Sequence, residues 1–145
     1  MIEFYALTED EVLRVGRGAE WKCGIAHEDG VLVAIYWHTT AYRTQSCDSC
    51  TLACHTGSTP FTREDRRQEG IFRNLYEWVR AENGYDTVLY NSGDYPPDFL
   101  AVQAQYNVEF GVMSGSLVPE DYQSRLPLVV GEFNRIAAVR GLAGV

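Results

Sequence analysis

The sequence has 145 residues, 46% of them hydrophobic and 12% aromatic, which fits one domain with a real core and excludes long disordered or low-complexity stretches. Its formal charge of -8 repels phosphate-rich polymers and anionic bilayers, so neither nucleic acid nor membrane is an expected partner. No apolar run reaches the about 18 residues a membrane span requires, and MIEFYALTEDE shows no basic leader, so a cytoplasmic location, or one within a virus particle, is expected.

IEFYAL is a β-prone run. TEDEVLRVGRGAEW follows as a short helix, with Thr8 as N-cap, Glu11 three residues on, and Val12, Leu13 and Val15 as its apolar stripe. In KCGIAHEDGVLVAIYWHTTAY, two β-branched and aromatic runs flank EDG, the signature of a tight antiparallel hairpin. RTQSCDSC is expected as a polar connection into a third strand, TLACHTGSTPF, lying beside the second strand of that hairpin. From Ile71 the period becomes helical through Leu75, Trp78 and Val79, until Asn83-Gly84 supplies a stop.

DTVLYNS then predicts a buried strand, DFLAVQAQY a short helix, and VEFGVMSGSLV one or two closing strands. The tail from Glu120 to Arg140 is expected to break at Pro127 and to resume as an amphipathic helix through Leu128, Phe133, Ile136 and Ala137. That order of elements predicts an α+β fold, a mixed and mostly antiparallel sheet flanked by helices, with an extra helix at the C-terminus. The aromatic residues Tyr36, Trp37, Tyr76, Trp78, Tyr85 and Tyr90 alternate with aliphatics and are assigned to the core rather than to a stacking surface.

Two clusters of chemistry stand out. The first is TREDRRQEGIFRNL, where Arg63, Arg66, Arg67 and Arg73 crowd together in an acidic chain whose only lysine is Lys22. Gly70 falls at the start of the predicted helix, where unpaired N–H groups and the helix dipole favour an anion such as phosphate. The competing reading is a solvated, self-paired surface in which Arg63 and Arg66 balance Glu64 and Asp65. The second cluster is Cys47-x-x-Cys50-x-x-x-Cys54-His55, which offers ligands for zinc; a zinc-stabilised binding module is one reading. The alternative is that Cys23 and Cys54 are small buried hydrophobes while Cys47 and Cys50 decorate a hairpin tip.

The stretch TREDRRQEGIFRNLYEWVRAENGYDTVLYNS resembles the acyl-CoA-binding core of the GNAT superfamily of N-acyltransferases, with its Gln/Arg-x-x-Gly-x-Gly/Ala pattern after the fourth strand. Arg67 and Gly70 match the first two positions, and Phe72 stands in the third. LAVQAQYNVEFGV is similar to the family's next helix and the glycine, here Gly111, of its last hairpin. The resemblance spans roughly residues 21 to 115, and it implies a GNAT-like domain over 1–118 with a helical extension over 119–145.

It further implies acetyl-CoA lying between the fourth and fifth strands, with an amine of a small molecule or protein as acceptor. Backbone groups around Thr59 to Thr62 would face the acyl and pantetheine arm. N–H groups of Gln68, Gly70, Ile71, Phe72 and Arg73 would hold the pyrophosphate, helped by Arg67. His55 is the candidate base, with Glu28 and His38 behind it. Asn107 takes the position where many members have a tyrosine that protonates the leaving thiolate, so the neighbouring Tyr106 is the candidate acid. Glu69 places a carboxylate where the pyrophosphate would lie. An inactive GNAT-like structural or interaction protein, such as a virion component or host-protein inhibitor, is the alternative, with a protein partner on the C-terminal helix.

Overall fold

The computed structural model describes residues 1–46, 51–84, 88–90 and 119–145, with side chains described for 1–38, 61–84 and 126–145. The elements are β1 (Glu3–Ala6), α1 (Glu9–Val15), β2 (Trp21–Glu28), β3 (Val31–Ser46), β4 (Thr51–Thr62), a 3-10 turn (Glu64–Arg66), α2 (Ile71–Asn83), β5 (Val88–Tyr90) and α3 (Pro119–Arg140).

Local chemistry sets most of these boundaries. The Thr8 hydroxyl accepts from the Glu11 amide while the Glu11 carboxylate accepts from the Thr8 amide, a reciprocal capping box that opens α1. Asp29 and Gly30 both adopt positive φ, 52° and 78°, and this left-handed pair turns β2 into β3. Gly84, at φ 66°, terminates α2 and donates to the carbonyls of Arg80 and Ala81.

The described strands form one sheet in the order β1-β2-β3-β4-β5; each neighbouring pair is antiparallel except β4 and β5, which run parallel. Helix α2 makes the crossover between those two parallel strands. Strand β3 continues through Arg43 to Ser46, pairing with Leu52, Ala53 and Cys54 of β4, where the sequence suggested only a polar connection. Cross-strand hydrogen bonding overrides the weak β-propensity of that polar segment. The short helix expected in DFLAVQAQY and the closing strands expected in VEFGVMSGSLV lie outside the described residues.

The strand period of two sends alternate side chains to opposite faces, and each face is covered. On one face Ala26, Ala34 and Tyr36 pack against Ile71, Leu75, Tyr76 and Val79 of α2. On the other, Cys23, Ile25, Ile35 and Trp37 meet Val12 and Val15 of α1 and Val129, Phe133, Ile136 and Ala137 of α3. Tyr36, Trp37 and Tyr76 are fully buried, so these aromatics are core.

Helix α3 departs from expectation twice. It runs unbroken through Pro127, and Leu128, expected on the apolar face, is 70% exposed, the buried face running instead through Val129, Phe133, Ile136 and Ala137 with Leu126 partly buried. Proline deletes a single N–H of the ladder, whereas the turns that follow are held by burial against the sheet. Phe133 meets Phe61 edge-on with ring centroids 5.0 Å apart. Beyond the helix, Ala143 pairs with β3: the Leu32 amide donates to its carbonyl and its own amide donates to Gly30. The tail therefore docks on its own chain. Arg17 forks onto Glu132, and Arg140 reaches Glu11 at 3.2 Å while lying 3.7 Å above the Tyr5 ring.

Candidate acyl-CoA site at the start of α2

The candidate site is built where β4 hands over to α2. Among the described residues β4 pairs with β5 at His55, Thr56 and Gly57, and with β3 along its length from Thr51 to Thr62. The chain then leaves the sheet, with the Arg63 amide donating to the Val33 carbonyl, and coils through Glu64–Arg66 in a 3-10 turn rather than an open loop.

Two residues of the next four have left-handed backbones. Gln68 has φ 64° and Gly70 φ 75°. A positive φ at glutamine costs about 1 kcal/mol and persists only where the surroundings impose it. Left-handed Gly70 is followed by right-handed Ile71, the first residue of α2, a pair that turns adjacent N–H groups toward one side. Gly70 is the N-cap of α2 and has no side chain to cap it, so among the described residues the first-turn amides have no side-chain partner. The first turn also carries no acidic residue, and space is open in front of Gly70 where a side chain would stand. The partial positive charge of this 13-residue helix therefore faces outward.

The four arginines differ in availability. Arg63 donates to Asp65 at 3.2 Å and to the Gly144 carbonyl at 2.9 Å. Its guanidinium holds the Asp65 carboxyl below the ordinary value. Arg66, expected to balance Glu64 or Asp65, instead binds Glu28 of β2 at 3.0 Å and Glu69 at 3.0 Å. The Glu28 carboxyl is held below its usual range by the Met1 amino group and then by Arg66, so it stands ionised and engaged. Arg67 donates its Nε to the Thr62 carbonyl at 3.1 Å and lies 5.6 Å from the Phe61 ring centroid; its terminal nitrogens have no partner among the described residues. Arg73 is exposed one turn into α2 and has no ion pair among the described residues.

The structure thus gathers Thr62, Arg67, Gln68, Gly70, Ile71, Phe72 and Arg73 around one helix terminus. Phe72 is half-buried, packed edge-on against Tyr36 at 5.6 Å. His55 sits in β4 between Tyr42 of β3 and Val88 of β5, and its side chain is outside the described part. His38, next to Gly57 across the β3–β4 ladder, is 2% exposed and stacks on Tyr36. Tyr106, Asn107, Gly111, Cys47 and Cys50 lie outside the described residues, and only the backbone of Cys54 is described. Cys23 is a free, fully buried thiol, its pKa pushed well up by burial. Among the described residues no group of His, Cys, Asp or Glu is placed to hold a metal, and no helix is long and apolar enough to cross a membrane.

The link that sequence reasoning missed is Arg66–Glu28. The partners belong to different elements, and only the sheet and the turn after β4 bring them together.

No family model matches the sequence, and no curated protein matches it either. Solved structures do share the fold. A ribosomal-protein-alanine N-acetyltransferase from Brucella melitensis biovar Abortus 2308 aligns at TM-score 0.52 and 13% identity, over 72% of this chain and 90% of that one. AAC(6')-Iy in complex with the bisubstrate analogue CoA-S-monomethyl-acetylneamine aligns at TM-score 0.53 and 12% identity, over 81% of this chain and 95% of that one. An aminoglycoside acetyltransferase from an uncultured soil metagenomic sample gives 0.51 and 16%, over 81% and 95%. At such identities the likeness speaks to architecture: this chain has the GNAT N-acetyltransferase fold, carried by a divergent sequence.

Proposed function

We propose that this protein binds an acyl-CoA, acetyl-CoA in the first instance, and transfers the acyl group to an amine of a small molecule or protein. The observation that carries the reading is the N-terminus of α2, where Gly70 brings no capping side chain, reached through left-handed Gln68 and Gly70 after β4. It is supported by fold neighbours whose structures hold CoA, a CoA bisubstrate analogue or acetyl-CoA.

In this reading the amides from Gln68 to Arg73 take the pyrophosphate, with Arg67 adding a guanidinium beside it. The thioester lies along β4 near Thr59, where a backbone N–H polarises its carbonyl. The acceptor amine attacks that carbonyl carbon, the C–S bond breaks, and the thiolate leaves. His55 takes the proton lost by the amine, and Tyr106 returns one to the sulfur, giving an amide and free CoA.

Calorimetry with acetyl-CoA tests the binding step. Arg67→Glu, which puts a negative charge beside the diphosphate, is expected to weaken binding about tenfold or more. Absence of binding at millimolar ligand overturns the reading, and binding that Arg67→Glu leaves unchanged overturns the pyrophosphate assignment. Thiol release across a panel of primary amines then separates an enzyme from a noncatalytic binder of the same fold.

A further inference from the structure

We infer that Arg66 is a positioning residue for the coenzyme site, holding the Glu69 carboxylate away from the helix amides that receive the pyrophosphate; this rests on the acyl-CoA reading above. Glu69 immediately precedes the N-cap of α2 and is the carboxylate nearest in sequence to the uncapped first turn. Gly70 brings no side chain of its own to that turn. A free carboxylate there is drawn to the same N–H groups and the same dipole as a phosphate, so Glu69 is a tethered competitor for the site.

The geometry shows what restrains it. Arg66 Nε donates to Glu69 Oε2 at 3.0 Å, and Arg66 Nη1 lies 3.0 Å from Glu28 Oε1. Glu28 ends β2, whose ladder with β3 runs through eight residue pairs from Trp21 to Glu28, so its carboxylate is carried by the sheet. The backbone of Arg66 is fixed in turn by the bond from its amide to the Arg63 carbonyl at 3.0 Å. The arginine is thus a strut from the sheet to the loop. It also supplies the positive charge that neutralises Glu69 beside an anion site, which explains how a carboxylate is tolerated in the middle of the motif.

The test is acetyl-CoA titration calorimetry on the whole chain as wild type, Arg66→Ala, Glu69→Gln and the double variant, each checked for folding by circular dichroism. Releasing Glu69 in Arg66→Ala is expected to weaken binding about three- to tenfold through competition and like-charge repulsion. Glu69→Gln binds at least as tightly as wild type. The double variant returns to within about twofold of wild type, because no carboxylate is left to restrain. An unchanged Arg66→Ala affinity overturns the inference. So does a double variant as weak as Arg66→Ala, which would make the arginine a direct ligand or a structural prop. Should Arg66→Ala fail to fold, the double variant decides alone: affinity well below that of Glu69→Gln overturns the inference, and affinity equal to it supports it. Failure of the wild type to bind removes the acyl-CoA reading and this inference together, whereas wild-type binding with either overturning result removes the inference alone.

Discussion

Removing the Arg17 side chain tests how firmly α3 belongs to the domain. Arg17 lies after α1 and forks onto Glu132 of α3, Nε to Oε2 at 2.9 Å and Nη2 to Oε1 at 2.8 Å, with side chains only 19% and 13% exposed. Its guanidinium carbon is 4.5 Å from the ring centroids of both Trp21 and Trp37. Breaking a buried pair from one side costs about 3–5 kcal/mol, because the remaining charge is stranded, and partial exposure argues for the lower end. Each aromatic contact adds about 0.5–1 kcal/mol at most at such an edge. Arg17→Ala is therefore expected to lose about 4 kcal/mol. With a urea m-value of about 2 kcal/mol/M, the unfolding midpoint, followed by tryptophan fluorescence, falls by about 2 M. Arg17→Ala with Glu132→Gln should recover about half of the loss, since no carboxylate is stranded. A single-variant loss below about 1 kcal/mol, or a double variant as unstable as the two losses summed, refutes the argument and leaves apolar packing alone to dock the helix.

Gly24 packs under α2, where an added Cβ would stand 2.5 Å from Cγ2 of Val79, so Gly24→Ala is expected to lower stability by about 1–3 kcal/mol. Val79→Ala should offset part of that loss, and a thermal melt of the three variants shows whether it does. Acid sensitivity follows from the carboxylates. Burial pushes Glu11 up, but the Thr8 amide, the Tyr5 hydroxyl and Arg140 together hold it below its ordinary value. Glu28 and Asp65 are also held low, by the Met1 amino group and Arg66 in one case and by Arg63 in the other. Folded pKa values below unfolded ones mean that this stability is present above about pH 4.5 and is lost as pH falls through the folded values. Denaturation midpoints measured from pH 7 to pH 3 should fall steadily below that point, and Glu11→Gln should flatten the slope.

What short-range chemistry controls was legible in the residues themselves. Thr8 and Glu11 form their capping box because the partners are three residues apart, and Asp29-Gly30 turns because its backbone adopts positive φ at both residues. The limits of α2 follow from a helical stripe bounded by glycines at both ends, and with them the Gly70 terminus of the candidate site. Pro127 illustrates the opposite case: a local breaker signal outweighed by tertiary burial of Val129, Phe133 and Ile136. Likewise a polar run joined β3 because β4 offered it hydrogen bonds.

By itself the sequence determined the order of the described elements, the α+β class and the glycine that opens α2, since each depends on contacts within a few residues. Only the tertiary structure decided that the C-terminal helix closes the domain's own sheet, and that Arg66 answers to Glu28 and Glu69 rather than to its near neighbours in the turn. The reason is physical. A charged side chain on a loop has several partners within reach of its stem, and the pair that forms is chosen by which strand end the fold brings beside it.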